Sequence, residues 1–145
     1  MLNPDFREFI QLLNANGVRY LVVGGYAVAF HGHPRYTKDI DIWIDPSEEN
    51  ATRTIKVLQE FGFGSLDLGE KDFLKPDQII QLGYPPGRID LITSCTGVEF
   101  GQCFACRATA DIEGTQVNFI DAESLKKNKR ASGRPQDLAD LDHLG

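Results

Sequence analysis

Two runs organise the chain: Leu21-Val22-Val23-Gly24-Gly25-Tyr26-Ala27-Val28-Ala29-Phe30, and, after a loop over 31–38, Asp39-Ile40-Asp41-Ile42-Trp43-Ile44-Asp45. Arg19 to Val23 is a short apolar stretch of strand character, broken by the glycine pair. Tyr26 to Phe30 resumes as a helix, and the loop that follows contains Gly32 and Pro34. The second run alternates isoleucine with polar or aromatic residues, the period of a strand. Strand, helix and strand therefore follow one another within 25 residues.

Outward from this unit the pattern continues. Phe6, Phe9, Ile10 and Leu13 recur at helical spacing, so 4–16 reads as an amphipathic helix ended by Asn16-Gly17. Pro46 closes the second strand. Ser47, with Glu49 and Asn50, opens a helix to about Phe61, stopped by Gly62 and Gly64. Residues 65–77 carry no clear period. Ile79–Tyr84 and Arg88–Thr93 read as strands around a hairpin-like turn at Pro85-Pro86-Gly87. A helix is expected over 98–107 and a strand over Thr115–Ile120. Asp121 is placed to cap a helix to about Ala131, and Gln136–Leu144 forms a last short helix. Strands interleaved with helices give the α/β (α+β) class.

The chain of 145 residues suits one domain, 1–145, and that length buries enough surface to fold without a disulfide or structural metal. Its three cysteines, Cys95, Cys103 and Cys106, are an odd number. Cys103 and Cys106 form a single CxxC with no second pair, which reads as small apolar residues on a helix and not as zinc or redox chemistry. The apolar stretches are too short to span a membrane. The start of the sequence lacks a basic segment followed by an apolar run, so no signal peptide is expected and the cytoplasm is the expected location. A net charge of −6 disfavours general duplex DNA binding, which needs a basic footprint.

The same stretch carries the chemistry. Residues i and i+2 of a strand face the same way, so Asp39 and Asp41 project together, about 6.6 Å apart along the strand. Ile40, Ile42 and Ile44 project to the other side, where helices can cover them. Two adjacent carboxylates repel, and a divalent cation relieves that repulsion. Oxygen ligands alone favour Mg²⁺ or Mn²⁺ over zinc. Gly24 and Gly25, between strand and helix, let phosphate oxygens approach the backbone. They match neither GxGxxG nor GxxxxGK[ST], so the Rossmann and P-loop readings lack support. Downstream, Asp90 alternates with Ile89 and Leu91. From a neighbouring strand it could complete a cluster of three carboxylates or act as base toward an attacking hydroxyl. Arg35 and Lys38, in the loop before Asp39, could also reach phosphates.

Gly24-Gly25, then Asp39-Ile40-Asp41, then Asp90 in an apolar strand resembles the DNA polymerase β-like nucleotidyltransferase superfamily. The words around these residues, Gly24-Gly25-Tyr26-Ala27-Val28-Ala29-Phe30-His31-Gly32 and Pro34-Arg35-Tyr36-Thr37-Lys38-Asp39, resemble its small bacterial and archaeal members, many from toxin–antitoxin or abortive-infection systems. The tail, Leu125-Lys126-Lys127-Asn128-Lys129 and Arg134-Pro135-Gln136-Asp137-Leu138, is similar too. One departure is that Gly25 stands where many members carry Ser.

The resemblance implies a small mixed β-sheet with helices packed on one face, a palm-like catalytic core over 18–95, an N-terminal helix within 1–17 and a helical tail over 121–145. It implies attack of an acceptor hydroxyl on the α-phosphate of a nucleoside triphosphate, with pyrophosphate leaving. Two Mg²⁺ ions would be held by Asp39, Asp41 and Asp90, with Asp90 activating the acceptor. Of the basic residues Lys126, Lys127, Lys129, Arg130 and Arg134, it singles out Lys129 and Arg134 for the triphosphate. The acceptor is open among RNA such as tRNA, a partner protein and a small molecule. Little chain follows the Asp90 strand, so a second subunit, as in a homodimer, or a partner protein is expected to help hold it. The reading from another class is a non-catalytic nucleotide-binding or antitoxin-like module that keeps the fold. His31 and His33 read as loop packing, and Trp43 as a residue that packs against neighbours.

Overall fold

The computed structural model describes residues 2–32, 37–64, 67–84 and 87–144, with the backbone alone for His143. Arg35 and His33 therefore lie outside the described residues. The first helix, α1 (Pro4–Ala15), starts where Asn3 accepts a hydrogen bond from the Asp5 N–H at 2.7 Å, with Pro4 in the first turn, where its missing N–H costs nothing. It buries Phe6, Phe9, Ile10 and Leu13, the face that the spacing marks. There follow β1 (Tyr20–Val23), α2 (Gly24–Phe30), β2 (Ile40–Ile44), α3 (Glu48–Phe61) and a short 3-10 helix, Glu70–Phe73. The second half holds β3 (Ile79–Leu82), β4 (Ile89–Ile92), α4 (Phe100–Ala105), β5 (Ala108–Ile112), β6 (Thr115–Phe119), α5 (Ala122–Ser132) and α6 (Pro135–Leu144).

All six strands form one mixed sheet in the order β3-β4-β2-β1-β6-β5. β2 pairs parallel with β4, and β1 with β6, while the other neighbours are antiparallel. The sheet has two chemically different faces. On one, Ile40, Ile42 and Ile44 are fully buried. Tyr20, in register with Ile44, donates its hydroxyl to Asn14 of α1 at 3.0 Å. Burial pushes that hydroxyl up to about 12, so it stays a donor. Phe119, in register with Val22, stacks against Phe30 of α2 at 4.1 Å. The other face carries Asp41 and Trp43.

Helix packing extends beyond the single face expected. Trp43 is only 2% exposed, and Phe100 of α4 meets it edge-on at 5.1 Å. A side chain that large would forgo about 4 kcal/mol if left in water, so this face is covered wherever Trp43 lies on it.

Two local expectations also change. Ser47 stands at the start of α3 but makes no capping bond. Its hydroxyl accepts from Arg19 Nη2 at 2.9 Å, a partner reached only across the strand ends, and donates at 3.4 Å to the nearby Asp45 carboxylate. Asn50, fully buried, instead ties α3 to the Arg19 backbone and to the Asp45 carbonyl. The strand β5 carries no strong sequence signal; it pairs with β6 through Glu113 and Gly114, whose φ values of 51° and 86° suit a tight hairpin turn. Cys103 is buried in α4, Cys106 follows that helix in the open, and all three thiols are free. Among the described residues no helix is long and apolar enough to cross a membrane.

Candidate active site

The parallel pairing of β2 with β4 builds the site. Its register sets Asp41 opposite Asp90 and Ile40 opposite Ile89. Both carboxylates therefore leave the sheet on the face away from the isoleucines, as the alternation requires. Asp90 is 7% exposed. The Asp41 carboxyl is pushed up to about 6, first by burial and then by the charges of Asp90 and Asp39, with a hydrogen bond to Asp90 adding to the rise.

Gly24 stands against this pair. Val23 pairs with Asp41 across β1 and β2, and a Cβ on Gly24 would fall inside the Asp41 carboxylate. Gly24 also has φ of 65°, a left-handed conformation that suits glycine. Its absent side chain thus makes room for the Asp41 carboxylate. Gly25 is buried in the first turn of α2, whose N-terminus no side chain caps.

Asp39, just ahead of β2, joins the cluster through Arg88, a residue the motif reading passes over. Arg88 Nε donates to Asp90 Oδ1 at 2.8 Å, Nη2 donates to Asp90 Oδ2 at 3.1 Å, and Nη2 meets Asp39 Oδ2 at 2.9 Å. The signal was present, since Arg88 precedes Asp90 by two and so shares its strand face. The remaining Asp39 oxygen, Oδ1, is buried without a hydrogen-bond partner. Lys38 is exposed beside Asp39, and its carbonyl accepts from Gly87 N–H at 2.9 Å.

In front of Asp41 lies a cleft of about 570 Å³, within the size range of small-ligand sites. Val23, Gly24 and Asp41 line it together with Asn128, Lys129, Ser132 and Arg134 of the tail. The tail is fixed there by two contacts to the loop after β4: Asn128 donates to the Thr96 carbonyl at 2.9 Å, and Gly97 lies tight against Ala131. Lys129 and Arg134 are thus brought to the cleft, but differently. Lys129 is buried, its ammonium 3.1 Å from Asp137 and 2.9 Å from Asp140. Arg134 is 76% exposed and pairs with Asp137 at 2.8 Å. Burial pushes the Asp137 carboxyl up, but hydrogen bonds from Arg134 and Lys129 outweigh it and hold that carboxyl below the usual range. His31 bonds the Ile120 carbonyl at 2.7 Å through Nε2, a packing contact at the end of α2.

The donor set suits a hard divalent cation: carboxylate oxygens only, a repelling pair in Asp41 and Asp90, and an orphaned oxygen on Asp39. With Arg88 between Asp39 and Asp90, no three His, Cys, Asp or Glu side chains among the described residues converge on one metal position.

Fold and sheet together define the class: the chain has the nucleotidyltransferase fold. It is similar over 98% of its length to the crystal structure of the candidate nucleotidyltransferase TM1012 from Thermotoga maritima, covering 93% of that chain at 18% identity and a TM-score of 0.67. The lincosamide antibiotic adenylyltransferase LnuA, solved with lincomycin bound, matches over 99% of this chain and 96% of its own, at 14% identity and a TM-score of 0.57. ANT(2″)-Ia, in complex with adenylyl-2″-tobramycin, matches over 96% and 84%, at 12% identity and a TM-score of 0.57. No protein-family model matches the chain, and no curated protein matches it in sequence.

Proposed function

We propose that this chain is a nucleotidyltransferase that moves a nucleoside monophosphate from a nucleoside triphosphate to an acceptor hydroxyl and releases pyrophosphate. The observation that carries the reading is the register of Asp41 against Asp90, beside a glycine that leaves the carboxylate room and a cleft that Lys129 and Arg134 also line. Asp39, Asp41 and Asp90 would hold Mg²⁺, two ions in the full arrangement, with Mn²⁺ as a substitute. The metal, when bound, would neutralise charge on the attacking and leaving oxygens.

The protein's own residues would do the rest. Gly24 and Gly25 admit the phosphates, and Arg134, which lines the same cleft, contacts them. Lys129 lends the cleft its form and a charge shared with Asp137 and Asp140. Lys38 approaches from just ahead of Asp39, and the sequence alone adds Arg35 as a further candidate for phosphate contact. Asp90 accepts the proton of the acceptor hydroxyl, and catalysis comes chiefly from positioning and charge neutralisation. The activity would belong to one domain, 1–145, with 18–95 as its core and 121–145 as its cationic tail.

The acceptor is a hydroxyl on RNA, a protein or a small molecule. Lincomycin in LnuA and the adenylylated tobramycin of ANT(2″)-Ia favour including hydroxylated small molecules, since LnuA is matched over 96% of its own chain. Incubation with each labelled nucleoside triphosphate, Mg²⁺ and candidate acceptors, including tRNA and co-purifying proteins, tests the reading. Pyrophosphate release that disappears in Asp39→Ala/Asp41→Ala supports it. Triphosphate binding with no transfer to any acceptor would favour the non-catalytic module instead. Homodimerisation is checked by light scattering. A cytoplasmic toxin–antitoxin setting would appear as growth arrest on expression, relieved by a partner protein.

A further inference from the structure

Arg88 is held before its side chain is considered. Ile40 N–H donates to the Arg88 carbonyl at 3.1 Å, so the Arg88 backbone is fastened to the start of β2 beside Asp39. Gly87, with φ of 103°, donates to the Lys38 carbonyl at 2.9 Å and fixes the approach from the other side. From this double anchorage the guanidinium reaches both Asp90 oxygens, at 2.8 and 3.1 Å, and Asp39 Oδ2 at 2.9 Å. Both Asp90 oxygens thereby accept charge-assisted hydrogen bonds, Asp39 Oδ2 is held in an ion pair, and of the four oxygens on Asp39 and Asp90 only Asp39 Oδ1 has no partner.

We propose that Arg88 is the internal counter-cation of this site, holding Asp39 and Asp90 in the place of a divalent ion and exchanged for one when the ion enters. The inference rests on reading Asp39, Asp41 and Asp90 as the cation ligands. A guanidinium forked onto a carboxylate occupies the lone pairs that a metal ion requires, so the two compete for the same oxygens. Three carboxylates against one guanidinium keep the cluster negative, and a divalent cation is still drawn in. The latch thus lowers the apparent affinity for the cation by the fraction of molecules that are latched. It also keeps Asp39 and Asp90 facing one another while no ion is bound. Arg88 is in this sense a positioning residue, acting through the carboxylates.

The test is a Mn²⁺ titration of the full chain, read by the loss of the free-ion signal in electron paramagnetic resonance. Wild type, Arg88→Gln and Arg88→Lys are compared, each also melted in EDTA. Arg88→Gln is expected to bind Mn²⁺ roughly tenfold tighter, as fits removal of a competitor with charge-assisted hydrogen bonds. Arg88→Lys, which keeps the charge but loses the fork, should fall between. In EDTA, Arg88→Gln should melt below wild type, and Mn²⁺ should close the gap. Equal or weaker Mn²⁺ binding by Arg88→Gln overturns the proposal and leaves the metal reading intact. Should Arg88→Gln fail to fold, Arg88→Lys decides alone: tighter binding than wild type supports the exchange, unchanged binding overturns it. Absence of Mn²⁺ binding in all three proteins overturns both the exchange and the metal site.

Discussion

Replacing Asp41 by Asn should stabilise the protein at neutral pH when no divalent cation is present. In the folded chain the Asp41 carboxyl is pushed up from 3.8 to about 6, by burial first and by the charges of Asp90 and Asp39 next. The folded state thus binds this proton more tightly than the unfolded state does. The associated stability is complete below about 3.8 and is lost as the pH rises through about 6. At 1.36 kcal/mol per pH unit, ionising Asp41 in place costs at most about 3 kcal/mol at pH 7.5, less what solvent screens at its exposed edge. Asn keeps the shape and removes the charge. For a chain of this length the variant should melt several degrees higher, with a ceiling of about 10 °C. At pH 4.5 the advantage should shrink to roughly a third. Differential scanning calorimetry of both proteins in EDTA at the two pH values reads the effect. With saturating Mg²⁺ the order should reverse, because only the wild type gains from binding the ion. A variant melting at or below wild type at pH 7.5, or an offset indifferent to pH, would refute the claim that Asp41 is held under strain by its neighbours.

Other outcomes follow from the same geometry. Gly24→Ala, at a left-handed φ and against the Asp41 carboxylate, should cost about 1–3 kcal/mol in denaturant melts and depress Mn²⁺ binding as Asp41 is displaced. Lys129→Ala removes the buried ammonium that Asp137 and Asp140 share, leaving Asp137 to Arg134, and should cost about 3–5 kcal/mol. Arg134→Ala, at an exposed position, should change stability by less than about 1 kcal/mol while weakening triphosphate binding in a filter or calorimetric assay. Trp43→Ala should lose about 3–5 kcal/mol by emptying the contact with Phe100, measured by urea unfolding.

The local sequence carried much of this protein. The alternation of Asp39 to Asp45 fixes a strand with two faces, because the pleat repeats every two residues and isoleucine cannot share a face with a carboxylate at low cost. The spacing in α1 and the glycine pair after β1 are legible for the same reason: each is a local backbone preference. Period and turn chemistry therefore found the strand–helix–strand unit, and the resemblance built on it led to the nucleotidyltransferase fold. What lay beyond reach was every contact made between distant segments. Ser47 has the composition of a helix cap, yet Arg19, brought alongside by strand pairing, takes its hydroxyl. The weak strand β5 exists because β6 offers it a ladder. Lys129 reads as a free cation in the sequence and is a buried one in the fold, since Asp137 and Asp140 arrive from the next helix. Arg88 reads as the first residue of a strand, sharing the face of Asp90, and only the register of β4 against β2 sets its guanidinium between Asp39 and Asp90. Charge and periodicity are properties of a segment and survive without the fold. Which charges meet is decided by the sheet, because only tertiary pairing fixes distances across tens of residues.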